Sequence, residues 1–331
     1  MGMLILNAGE IAHLDSSASN SAISGPDMLD RESNVAPSGL GILIENGNIQ
    51  SITDSQSLQS EYAPDWDGHE SSSKFNIVDV NGCAIIPGLI DSHTHLIWAG
   101  DRSSEMRLRQ SGMTYREISQ IGGGIRRTVS STRLMTTENM ITTGMSRINE
   151  ASKYGTCAME VKSGYGLNTD TELKLLEAAS FLSKNSEVSI YPTWLGAHDF
   201  PHEIDRSQYI DDILTEQLPK VAEQGIAKWC DVFCEDGWYS NEETESIVSH
   251  AKEFGLDSRL HVDEFVDSDG LALAAELGSV SADHVAKSNP NSRQKASDAG
   301  TMQTFLPGTP YVLGHSLDLP FSECIENDWA F

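Results

Sequence analysis

Two histidines stand one residue apart at the end of an apolar run, His93 and His95 in "LIDSHTHLIWAG" (residues 89–100). Residues i and i+2 of an extended strand face the same side. The pair therefore aims two imidazoles at one point, which suits a metal ion better than a packed core. The flanking "PGLID" and "HLI" imply that the pair is buried. His261 in "RLHVDEF" and His284 in "SADHV" each sit at the end of another short apolar run. Two or three neutral imidazoles with an open position hold zinc or iron and activate water. Glu264 follows His261 by three residues, where a carboxylate can take a proton from that water and return it to a leaving nitrogen. Asp263 is the competing carboxylate, and strand alternation directs it toward the side of His261.

Three more residues read as substrate contacts. Arg102, just past the histidine pair, can grip a carboxylate in bidentate fashion. Tyr165 lies in the glycine-flanked "KSGYGL", and His198 ends the run "LGAHDF". Lys162 could be carbamylated or form a Schiff base, but Glu160 two residues earlier favours a same-face ion pair. The glycines at 122–124 lack a GKS or GxGxxG context, so they mark a helix entry rather than a phosphate loop. No GxSxG elbow is present. The five cysteines form no CxxC pair and read as buried free thiols in a reducing compartment.

The elements that must position these residues follow a clear rhythm. Up to residue 82 the chain gives short strands ("MLILNAGEIAHL", "GLGILIENGNIQSI", "FNIVDVNG") separated by polar loops at 15–39 and 54–74, with "ENGN" as a hairpin turn. This is a small β domain, residues 1–82. From 83 to 331 seven apolar runs alternate with helical segments. Among these are "TDTELKLLEAASFLSKN", with an apolar face at Leu173, Leu175, Leu176, Ala179 and Leu182, and "NEETESIVSHAKEFG", capped by Asn241 or Ser240. Such alternation makes an α/β fold with a parallel sheet and helices outside, seven strands of a TIM-like (β/α)8 barrel. The reactive residues sit at the strand C-termini, where a barrel places its active site.

The chain carries 49 acidic and 22 basic residues, a net charge of −27. The acids are scattered, and no basic stripe is available for phosphates, which argues against nucleic acid and anionic membranes as partners. No apolar run approaches the roughly 20 residues that span a bilayer. The N-terminus lacks a basic region and cleavage site of the secretory kind, so the expected compartment is the cytoplasm.

"PGLIDSHTHL" resembles the metal-binding opening of the amidohydrolase superfamily. The segments "HTHLIWAGDRSSEMRLRQSGMTYREISQIGGGIRRTV", "EVKSGYGL", "TWLGAHDFP", "DVFCEDGWYS", "LHVDEF", "SADHV" and "FLPG" narrow the resemblance to the imidazolonepropionase family over residues 83–308. The resemblance implies a barrel joined to a small β-sandwich and one zinc or iron held by His93, His95 and His261. It also implies Glu264 as general base, His284 polarising the scissile carbonyl or binding water, and Arg102, Tyr165 and His198 touching substrate. The implied reaction opens 4-imidazolone-5-propanoate to N-formimidoyl-L-glutamate in histidine breakdown, and the implied assembly is a homodimer. The family continues past the position of Phe331 with a strand ending in an aspartate, its fourth metal ligand, and then completes the β-sandwich. On that comparison the chain is expected to be truncated, and poorly folded or inactive alone, while the full-length parent is active. Two other readings stay open: a nucleobase deaminase with the same histidine pattern, and a non-catalytic metal-binding scaffold.

Overall fold

A computed structural model describes residues 2–14, 22–68 and 75–331. The parts of the expected loops at 15–21 and 69–74 lie outside the described residues. The chain divides into two compact units, one running to Pro87 with Ile325–Asp328, the other Gly88–Cys324 with Trp329–Phe331.

In the first unit, strands β1 (Gly2–Leu6), β2 (Leu40–Glu45), β3 (Asn48–Asp54) and β4 (Phe75–Asp79) form one sheet in the order β3-β2-β1-β4. The β1–β2 and β2–β3 pairs are antiparallel and β1–β4 is parallel. Asn46 (φ +52°) and Gly47 (φ +78°) turn β2 into β3, the two positive φ values that match a hairpin's twist. Leu43 packs with Leu4 and Leu6, while its neighbour Ile42 packs with Ala8 and Ile11 on the opposite face.

Helix α1 (Ser55–Tyr62) occupies a stretch whose composition reads as loop. The Asp54 carboxylate caps it by accepting the Ser57 N–H at 2.8 Å, and Leu58, with Tyr62 packed against the same cluster, carries it into the core. In "SQSLQSEY" only Leu58 and Tyr62 face the core, too few to give a clear periodic signal, so tertiary burial decides. The loop expected at 15–39 likewise holds a 3₁₀ segment at Gly25–Leu29 and one helical turn at Arg31–Asn34.

The second unit is built on β5 (Leu89–Asp91), β6 (Thr156–Lys162), β7 (Ser189–Ala197), β8 (Trp229–Cys234), β9 (Asp257–Val262), β10 (Ser281–His284) and β11 (Met302–Thr304). They lie side by side in sequence order and all parallel, the arrangement of an α/β barrel with seven of its strands. Between them run α2 (Thr137–Lys153), α3 (Thr169–Asn185), α4 (Asn241–Glu253), α5 (Gly270–Glu276) and α6 (Pro290–Ala299).

Helix α3 buries Leu175, Leu176, Ala179 and Leu182 with Leu173 half-buried beside them, so the helical face read from the spacing is the one that packs. Ser240, not Asn241, caps α4: it accepts the Glu243 N–H while Glu243 accepts its N–H, a capping box. Asn241 instead takes the Cys234 thiol hydrogen and reaches the Ser268 carbonyl. Among the described residues β5 pairs on one side only. Its Leu89 and Ile90 are exposed (47% and 72%), whereas Leu96 and Ile97 are buried. The burial inferred for "PGLID" therefore fails and that for "HLI" holds. Of the cysteines, Cys230, Cys234 and Cys324 are buried free thiols, but Cys83 and Cys157 are exposed.

Candidate metal centre

His93 and His95 lie just beyond β5 rather than inside it. Their segment nonetheless stays beside β6, because the Lys162 N–H donates to the Thr94 carbonyl at 2.9 Å. The alternation survives, and both imidazoles point the same way with ring centroids 5.4 Å apart. His261 is the fifth residue of β9, His284 the last of β10, and His198 follows β7 directly. His284 turns the chain there with φ +74°, an uncommon conformation for a side chain of this size. All five histidines thus stand at the C-terminal ends of parallel strands. Together with Arg102, Tyr165 and Glu264 they line one cavity of about 830 Å³.

The nitrogen geometry suits a metal. His95 Nε2 and His261 Nε2 approach to 3.3 Å, and two ligands at 2.0–2.1 Å from a tetrahedral zinc are separated by about 3.3 Å. His93 Nδ1 faces Asp283 Oδ2 at 2.7 Å, which leaves its Nε2 for a metal. His261 Nδ1 lies 2.9 Å from Asp231 Oδ2 but is angled off hydrogen-bond geometry, and His95 Nδ1 is a buried nitrogen with no hydrogen-bond partner. Among the described residues, the histidine triads with ligand atoms clustered closely enough for one ion are His93–His261–His284 and His95–His198–His261, with His261 common to both; the expected trio His93, His95 and His261 is not one of them. Burial, joined by the fields of neighbouring histidines, holds the imidazoles of His95 and His261 well below the ordinary histidine range. Burial pulls His198 down to about 4 and His284 to about 3. Neutral imidazoles are what a divalent ion binds.

Glu264 stands in the cavity wall with its carboxylate 3.6 Å from His284 Nε2. Burial, with Glu235 adding like charge, pushes its pKa up to about 8, the range of an acid–base group near neutrality. Asp263 does not compete for the role. Its φ of +50° turns it away from the cavity, and its carboxylate accepts the N–H groups of Ser268, Gly270 and Leu271 and the Ser288 hydroxyl. Strand alternation ends at Val262, one residue before it, which is why extrapolating the strand misplaces it. Arg102 reaches the cavity while its Nε donates to Glu105 at 3.0 Å. Glu105 also accepts the Gly124 N–H at 2.9 Å, so the glycine run is a helix entry tied to that arginine. His198 Nδ1 lies 3.0 Å from the Gly164 carbonyl, next to Tyr165.

Lys162 makes the ion pair with Glu160 expected from their spacing, at 2.8 Å, and adds Asp231 at 2.7 Å and Asp283 at 3.3 Å. Burial opposes its charge, but the three carboxylates prevail and raise its pKa. Asp283 behaves reciprocally: burial favours its neutral form, yet Lys162, His93 and Arg259 hold it well below the usual carboxylate range. Sequence reasoning missed Asp231, Asp283, Glu235 and Glu172 as parts of this site. The signal available was a carboxylate inside an apolar strand run, as in "WCDVF" and "SADHV".

No family model matches the chain. Curated relatives do. The chain is 41% identical over 247 residues to the imidazolonepropionase of Symbiobacterium thermophilum, covering 74% of this chain and 58% of the relative. It is 37% identical over 274 residues to that of Clostridium tetani (82% and 64%), and 35% over 273 residues to that of Haloarcula marismortui (82% and 63%). The chain thus spans about three fifths of the length of these curated relatives. Among solved structures, a triazine hydrolase variant superposes with a TM-score of 0.65 at 14% identity, covering 99% of this chain and 70% of the other. A 5-methylcytosine deaminase from Klebsiella pneumoniae gives 0.62 at 15%, covering 94% and 67%. These distant likenesses establish the fold. By sequence the chain is similar to imidazolonepropionases over about three fifths of their length, and it takes the α/β barrel fold that the solved hydrolase and deaminase share.

Proposed function

We propose that the protein is an imidazolonepropionase that hydrolyses the cyclic amide bond of 4-imidazolone-5-propanoate to N-formimidoyl-L-glutamate in the cytoplasm. The observation that carries this reading is the convergence of His93, His95 and His261 with Glu264 on one cavity wall. In the proposed assignment these three histidines hold a single zinc or iron. Such an ion supplies Lewis-acid polarisation and makes water acidic near neutral pH.

The chain's own residues supply the rest. Glu264 takes a proton from the attacking water and passes it to the departing ring nitrogen, a transfer suited to a carboxyl whose pKa is about 8. His284, 3.6 Å from that carboxylate, is held neutral and can polarise the carbonyl under attack. Arg102, at the cavity wall, pairs with the propanoate, and the Tyr165 ring and His198 enclose the heterocycle. A guanidinium at the cavity favours an acidic substrate over an uncharged aminated base, which sets this reading above a nucleobase deaminase. The absence of disulfides among the described cysteines suits a reducing compartment.

The test is to follow disappearance of 4-imidazolone-5-propanoate and formation of N-formimidoyl-L-glutamate, in the metal-loaded protein and in its Glu264→Gln variant. Turnover lost in the variant supports the proposal. Turnover in neither, with ammonia released from cytosine or guanine, contradicts it.

A further inference from the structure

We propose that Lys162 is a positioning residue for the metal-facing histidines, acting through Asp231 and Asp283. The inference rests on the reading that His93 and His261 hold the metal. Lys162 ends β6 and is 1% exposed. Its Nζ lies 2.7 Å from Asp231 Oδ2 and 3.3 Å from Asp283 Oδ2. The same two oxygens face the histidines, Asp283 Oδ2 at 2.7 Å from His93 Nδ1 and Asp231 Oδ2 at 2.9 Å from His261 Nδ1. One ammonium therefore ties together two oxygens that are each set against the Nδ1 edge of a different imidazole.

The consequence is chemical. An imidazole whose Nδ1 faces an anionic oxygen keeps its proton there and presents a bare Nε2 to a metal; for His93 the contact is a hydrogen bond, and for His261 it is the field of Asp231 at 2.9 Å, off hydrogen-bond geometry, that favours this form. Two carboxylates buried this close repel each other, and a cation between them holds both in place. Asp231 is fixed from a second direction, since its Oδ1 accepts the His261 backbone N–H at 3.1 Å. Glu160 completes the group, with Arg259 3.3 Å from Glu160 and 3.8 Å from Asp283. Three carboxylates against two cations leave one negative charge beneath the histidines, the sign that favours a metal ion above them. An ion pair with Glu160 alone would satisfy Lys162 structurally. The contacts to Asp231 and Asp283 link it to the ligands.

The first measurement uses the whole, unsubstituted, metal-stripped chain: ¹⁵N chemical shifts of the histidine rings. Protonated Nδ1 and bare Nε2 at His93 and His261 support the inference, and an Nε2–H tautomer at either overturns it. The second is Lys162→Met titrated with Co(II). A dissociation constant raised about 10–100-fold, with an altered visible spectrum of the bound Co(II), supports the inference. Unchanged affinity and spectrum in folded K162M overturn it. Should K162M not fold, the ring tautomers of the unsubstituted chain decide. Failure of the metal reading is distinguishable, because then the unsubstituted chain also takes up no Co(II), and the tautomers still decide for or against Lys162.

Discussion

Glu235 accepts the backbone N–H of Glu264 at 2.7 Å, so one buried carboxylate anchors the turn that carries another. It also accepts the N–H groups of Phe265 and Val266. Burial outweighs these bonds and lifts Glu235 from 4.5 to about 7, and its charge in turn helps lift Glu264 to about 8. Both acids have a folded-state pKa above the unfolded value. The stability tied to their protonated forms is complete below about pH 4.5 and is lost as pH rises through about 7 and 8. Glu235→Gln removes the first of these losses. Urea unfolding at pH 5, 6.5 and 8 should show the variant gaining on the parent chain as pH rises, whereas a difference independent of pH would contradict the shift.

Glu172 does for the Tyr165 loop what Glu235 does for Glu264. Fully buried on α3, it accepts the N–H groups of Gly164, Gly166 and Leu167 at 2.7–2.8 Å. Gly164 has φ +99°, and a Cβ there would lie 2.9 Å from the Leu195 carbonyl, so this loop needs glycine. Each buried N–H left unpaired costs about 1–3 kcal/mol. Glu172→Ala should therefore lose about 3 kcal/mol or more, and hydrogen exchange at these three amides should accelerate ahead of that in β6. Exchange that rises uniformly across the unit would contradict a loop-specific role.

The seven strands, their order and helices α3 and α4 were legible because apolar runs and caps are local signals. So was the convergence of His93, His95, His261, Glu264, Arg102, Tyr165, His198 and His284, since strand C-termini in a parallel barrel meet at one mouth. Asp263 was not legible, because its direction depends on a single positive φ. Nor was α1, held by Leu58, Tyr62 and one cap. Asp231 and Asp283 were hidden for a further reason: their meaning lies in Lys162 and in histidines on other strands, and the sequence separations of 69 and 190 residues leave no local trace.

Burial holds His198 down to about 4 and His284 to about 3. For a base with a depressed pKa, the associated stability is complete above about pH 6.5 and is lost as pH falls toward those values. In the metal-free chain, ring Cε1–H resonances of both should stay unchanged between pH 8 and 5, and urea stability should begin to fall below about pH 6.5. A midpoint near 6.5 for either ring would contradict their burial as neutral imidazoles.

Arg102 keeps Glu105 company while facing the cavity. Arg102→Lys preserves the charge beside Glu105 but removes the planar fork that matches a carboxylate. In the proposed reaction it should raise KM about 10–100-fold with little change in kcat, as expected for a contact made equally in ground and transition states. A fall in kcat at constant KM would place Arg102 in the chemical step instead.

The most direct test of the metal centre is zinc content after metal stripping, reloading and exhaustive dialysis, compared across single alanine variants. The proposed site predicts about one equivalent in the unsubstituted chain, lost in His93→Ala, His95→Ala and His261→Ala and kept in His198→Ala and His284→Ala. Zinc retained by H261A, or no zinc in the unsubstituted chain, would contradict it.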